Sequence, residues 1–175
     1  ESLEHILTEC NSPPQKLIWH LAKQLWPHND TPWPDTSLGT ILGCRSIKTP
    51  EEMCEGDKGR IKPTNSMQGK SRLLQIIISE SAYLIWVLRC KHVIQGTSHN
   101  NENIIKQWHR AIDARLQLDR VSASKIKRTA KFTNLVHATW STTLLKESPL
   151  PKNWVTSLEV LVGIKLPQPP QTKAT

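Results

Sequence analysis

The chain has 175 residues, of which 37% are hydrophobic, a mean hydropathy of -0.44 and a formal net charge of +8. That length suits one domain with a sizeable core, and the composition points to a soluble chain rather than a membrane protein. Four cysteines scattered at positions 10, 44, 54 and 90 form no dense framework of bridges. With no secretory signal, they predict reduced thiols in an intracellular setting.

Along the chain, Ser2 to Cys10 reads as a short helix with Leu3, Ile6 and Leu7 on one side. Ser12-Pro13 has the chemistry of a helix start, because proline's missing N–H costs nothing in a first turn. Leu17, Ile18, Leu21, Ala22 and Leu25 then follow helical spacing to Trp26, and Pro27 helps to end the helix. The segment PHNDTPWPDT (27–36) is an extended, proline-punctuated connection. Ser37 is placed to cap a short turn through Leu38, Ile41 and Leu42 that stops at Gly43.

Residues 45–65 read as a long loop, rich in glycine, proline and charge. A strongly apolar helix follows, about 66–94, ending near Gly96. Its most apolar run, Leu73 to Leu88, is interrupted by Ser79-Glu80-Ser81 and is too short and polar for a membrane span. It predicts a central core helix. Asn100 or Asn101 caps a helix that turns Ile104, Ile105, Trp108, Ile112 and Leu116 inward, with Lys106 and Arg110 sharing an outward side. A last long helix, about Ser122 to Leu145, buries Ile126, Leu135, Val136, Trp140 and Leu144. The ending around Glu159-Val160-Leu161-Val162 is irregular or a short strand, and the proline-rich tail should be disordered. The expected fold is all-α, an irregular bundle around the 66–94 helix. It divides into a segment 1–10, a helical domain 11–162 and a tail 163–175.

Charge is unevenly spread. Residues 1–58 hold nine acids and five bases, whereas residues 89–131 hold ten bases and three acids, a net of +7. Lys106, Arg110, Arg115, Arg120, Lys125, Lys127, Arg128 and Lys131 are the candidate phosphate contacts. Each phosphate they neutralise would release counterions, giving sequence-independent, salt-sensitive affinity for RNA or DNA. The same residues also suit a solvated helix face that merely keeps the chain soluble.

Catalytic patterns are missing. GCRS (43–46) and EGDKGR (55–60) lack the phosphate-loop spacing. Glu80, Asp113 and Asp119 are too isolated to converge on two metals and read as ion-pair partners. The histidines His20, His99, His109 and His137 have no arranged nucleophile. Trp19, Trp86, Trp108 and Trp140 fall on apolar faces and should pack in the core.

His5 and Cys10 are soft ligands five residues apart, but a tetrahedral zinc site needs four donors. They form an incomplete half-site. The string Glu1-Ser2-x-x-His5-Ile6-Leu7-x-x-Cys10 resembles the second half of the CCHC zinc-binding segment near the C-terminus of non-LTR retrotransposon polyproteins. The stretches LIWHLAKQLWPH (17–28), PWPDTSLGTILGC (32–44), SRLLQIIISESAYLIWVLRCKHVI (71–94), KQWHRAIDARL (106–116) and KIKRTAKFTNLVHATW (125–140) are similar to the C-terminal region of fungal, mainly basidiomycete, retroelement reverse transcriptase/RNase H proteins.

The resemblance implies an upstream RNase H domain and a CxxC pair preceding His5. It implies zinc only where that upstream CxxC is present, and upstream polyprotein domains as partners. The expected function is an auxiliary, non-catalytic nucleic-acid-binding region, without a membrane partner. The alternative is a structural or protein-interaction helical domain with no ligand of its own.

Overall fold

The computed structural model describes residues 2–10, 12–47, 64–125 and 130–167. Among them the chain is helical, with no strand beyond one isolated antiparallel bridge between Leu144 and Ile164. The all-α expectation holds. The main helices are α1 (Pro13–Leu25), α2 (Leu38–Leu42), α3 (Asn65–Gln95), α4 (Asn101–Lys125) and α5 (Ala130–Trp140).

Local chemistry explains the boundaries. Pro13 and Pro14 open α1 after an extended Ser12, where absent amide protons leave nothing unpaired. Ser37 caps α2 by accepting the Thr40 N–H at 3.1 Å. Thr64 caps α3 the same way from Met67, and Gly96 ends it in the left-handed conformation at φ 63° that glycine adopts without strain.

α3 lies at the centre, packed against α1, α4, α5 and two short turns. By length and composition alone it is long enough to cross a membrane, contrary to the reading of its apolar run as too short. Within the chain, however, 56% of its most apolar window is buried, and two of the polar residues that interrupt its apolar run reach a neighbouring helix. The Ser81 hydroxyl accepts the buried Trp108 indole N–H at 2.9 Å, and Glu80 faces Arg115 at 3.3 Å. The polar interruption in the apolar run is thus the seam to α4. α3 is a core helix.

A second seam joins three helices. Arg72 on α3 grips Asp119 on α4 with both terminal nitrogens, each at 2.6 Å, and the Trp140 indole on α5 donates to the same carboxylate at 2.7 Å. Both Asp119 and Trp140 are buried, so the carboxylate is satisfied in the one way a buried charge tolerates. The α3–α5 crossing also brings backbone close to backbone: a Cβ on Gly69 would lie 2.5 Å from the Ala138 carbonyl.

Three expectations are corrected. Ser122 does not begin a helix; it lies in the last turns of α4, which runs on to Lys125, and α5 ends at Trp140. Ile126 and most of the expected 45–65 loop (48–63) lie outside the described residues, as does 168–175 of the tail. The tail's first residues are not loose: Ile164 is buried, the Leu145 N–H donates to Gly163 and the Lys165 N–H to Thr143.

Candidate functional site

The eight expected phosphate contacts do not form one surface. Arg120 points inward and is 2% exposed. Its guanidinium donates to the carbonyls of Trp154, Ser157 and Val160 at 2.7–3.2 Å and to the Gln117 side chain. Burial pulls its pKa down, while Asp113 and Glu159 oppose that shift. The expectation of a phosphate contact there is wrong, because the guanidinium is buried and turned onto three internal carbonyls rather than toward solvent. Arg120 was included for its charge alone, whereas residue 120 shares the inward side of α4 with Leu116.

Arg120 belongs to a row of donors. Gln117 donates to the Val162 carbonyl at 2.8 Å and His109 Nε2 lies 3.4 Å from the Ile164 carbonyl. These side chains, spaced along α4, take the place of a sheet ladder for the irregular segment 150–165, whose backbone polar groups need partners once buried. Trp154 and Val155 from that segment complete the core.

Two further cations are engaged. Arg115 faces Glu80, and Lys106 pairs with Glu102 one turn away at 2.5 Å. The Glu102 carboxyl is held below its usual range by hydrogen bonding and charge from Lys106. Arg110, Lys125 and Lys131 are exposed, and no carboxylate pairs with them among the described residues. At 100° per residue Arg110 and Lys125 share one face of α4, about 22 Å apart along the axis. Lys127 and Arg128 lie outside the described residues.

His5 and Cys10 bound a single π-helical turn, His5–Glu9, closed by the Cys10 N–H donating to the His5 carbonyl at 2.7 Å. The turn is docked by Gln15 and Trp19, one α1 turn apart, which both donate to the Leu7 carbonyl at 3.1 and 2.8 Å. The His5 ring faces Glu9 at 3.6 Å, while Cys10 lines a cavity beside α3. Among the described residues no group of three or more His, Cys, Asp or Glu is arranged to hold a metal.

One surface was not foreseen. Tyr83, Trp86, Val93 and Ile94 on α3 are 67%, 42%, 63% and 79% exposed. Their angular positions fall within about 100° on a helical wheel, with half-buried Cys90 between them and half-buried Val87 just beyond. The core placement expected for Trp86 is therefore corrected, whereas Trp108 and Trp140 are fully buried. Facing explains Trp86: Ile85 and Leu88, either side of it in sequence, are buried while Trp86 looks out, and beyond Leu88 no residue of α3 is buried.

Comparison with family models, curated proteins and solved structures finds no match.

Proposed function

We propose that the chain is a non-catalytic contact module of a retroelement-type polyprotein, and that its principal partner is protein: the upstream domains its sequence resemblance implies. The apolar stripe Tyr83–Trp86–Val93–Ile94 carries this reading. Aromatic anchors on a regular helix are the side chains that dominate protein interfaces, and here they stand on a scaffold already fixed by buried pairs. The test is to make the chain and the region encoded upstream of it as separate polypeptides. They should associate, and Trp86→Glu with Ile94→Glu should abolish association while the melting temperature of the isolated chain stays close to wild type. Association untouched by the double substitution would refute the role given to the stripe.

A second reading, nucleic-acid binding, is favoured by Arg110, Lys125 and Lys131, which are exposed and pair with no carboxylate among the described residues. It predicts weak binding to single-stranded RNA or DNA, about micromolar or weaker, falling steeply with salt. Zinc enters only through an extended chain. Two donors at the ends of one π turn do not close a tetrahedral shell, so metal analysis should find stoichiometric zinc when an upstream CxxC is included and none in the 175 residues alone. Equal zinc in both would overturn the half-site.

A further inference from the structure

The exposed stripe of α3 has a spacing as well as a composition. Tyr83, Trp86, Cys90 and Val93 succeed one another at intervals of three, four and three residues, the alternation by which one helix lays a seam against another. Val87 and Ile94 widen that seam along one edge. Other sides of α3 already pack against α1, α4 and α5. The stripe is therefore the side onto which a further helix can lie, about 17 Å long from Tyr83 to Ile94.

Two features specify the polar groups such a helix must bring. The first is charge. Residues 81–101 include no Asp or Glu. Lys91, four residues after Val87 and three before Ile94, borders the seam half-buried and pairs with no carboxylate among the described residues. Glu80, the nearest acid along the helix, is about 16 Å away and faces Arg115. The second is a donor. Trp19, Trp26, Trp33, Trp108 and Trp140 all donate their indole N–H within the chain, and that of Trp154 is buried. The exposed Trp86 indole N–H has no acceptor among the described residues. Trp86 and Lys91 stand about 140° apart on the wheel, at opposite borders of the seam. A charged acceptor on each flank of the incoming helix would satisfy both.

We propose that the stripe receives an amphipathic α-helix whose apolar ridge fills the seam and whose two flanking rows are acidic. This rests on the protein-contact reading and names the kind of segment in the upstream domains that makes the contact. A second copy of the chain is the poorer guest, because self-pairing would bring together two borders that hold Lys91 and no carboxylate.

The probe is a synthetic peptide of three heptads, with leucine at both seam positions and glutamate at both flanking ones. Its counterpart carries lysine at the flanks, and like charges keep each peptide from pairing with itself. Titrated into the full chain and followed by amide NMR, the acidic peptide should saturate below about 200 μM and shift the amides of Tyr83, Trp86, Lys91 and Ile94. It should bind at least about fivefold more tightly than the basic one. Trp86→Glu with Ile94→Glu should abolish binding, and Lys91→Glu alone should cut the preference for the acidic peptide at least about threefold. Equal affinity for the two peptides, no saturation in that range, or shifts mapping elsewhere would each overturn the proposal. So would a dimer, or binding to phosphatidylserine vesicles, that the double substitution removes. Association with the upstream region that needs Trp86 and Ile94 but ignores Lys91→Glu would overturn the acidic helix and leave the stripe's contact role standing. Association indifferent to the double substitution would overturn that role and the proposal with it.

Discussion

Glu80 shows how a single side chain can be both partner and burden. Its carboxyl is only partly exposed, and burial pushes its pKa up more than the Arg115 guanidinium pulls it down. A carboxyl whose folded pKa exceeds its unfolded one binds more protons in the native state. Its contribution to stability is therefore full below the ordinary carboxylate range and declines as pH rises through the folded pKa. Glu80→Gln, which keeps the shape and an acceptor, should be at least as stable as wild type near neutral pH. That advantage should shrink toward zero as the pH falls below about 4. Denaturant titrations of both proteins across pH 3–8 check this; a variant less stable at pH 7 would show that the ion pair outweighs desolvation. The isolated acids were read from the sequence as ion-pair partners, and Glu80 and Asp119 are paired with Arg115 and Arg72. Their identity was legible because charges within apolar helices require compensation. Which cation answers each one was not, because Arg72 and Asp119 are 47 residues apart and meet only through packing.

At the scale of elements, the apolar periods located the helices well, and the central one most closely. The errors came where a helix end depends on tertiary context. α4 runs through Ser122 because Ala123 remains buried, so a residue type that favours caps was overridden by packing. Trp86 was misplaced for a related reason: α3 is apolar on most sides, and a wheel does not show which of those sides its neighbours cover. Gly69 is a case the sequence left silent, since one glycine in a helix ordinarily signals only weakness. Here it admits the α5 backbone. Gly69→Ala improves helix propensity by about 1 kcal/mol, yet its methyl would overlap the Ala138 carbonyl. The net effect should be destabilising by roughly 1–3 kcal/mol or more. A melting temperature unchanged or higher would mean that α3 and α5 separate readily.

For the molecule as a whole, net charge by segment proved a poor guide to surface potential. Of the three acids and ten bases in residues 89–131, Asp119 neutralises Arg72 from outside the segment, Arg115 is answered by Glu80 from outside it, and Arg120 is sequestered among carbonyls. The field available to a polyanion is carried by fewer, more widely spaced side chains than the count suggests. Charge reversal at Lys125, Arg128 and Lys131 should accordingly abolish any oligonucleotide binding, while Arg120→Gln should alter stability rather than the salt slope. Fluorescence anisotropy against salt measures both; no binding of the wild type at low ionic strength would leave the protein-contact reading alone.

The shared grip of Gln15 and Trp19 on one carbonyl bears on how the chain can be dissected. A cut at residue 11, where a metal-binding leader would conventionally be separated from the body, would orphan both donors and strip Ile6 and Leu7 from the interior. The workable seam lies ahead of Ser2, and the first ten residues travel with the bundle whatever is attached to them.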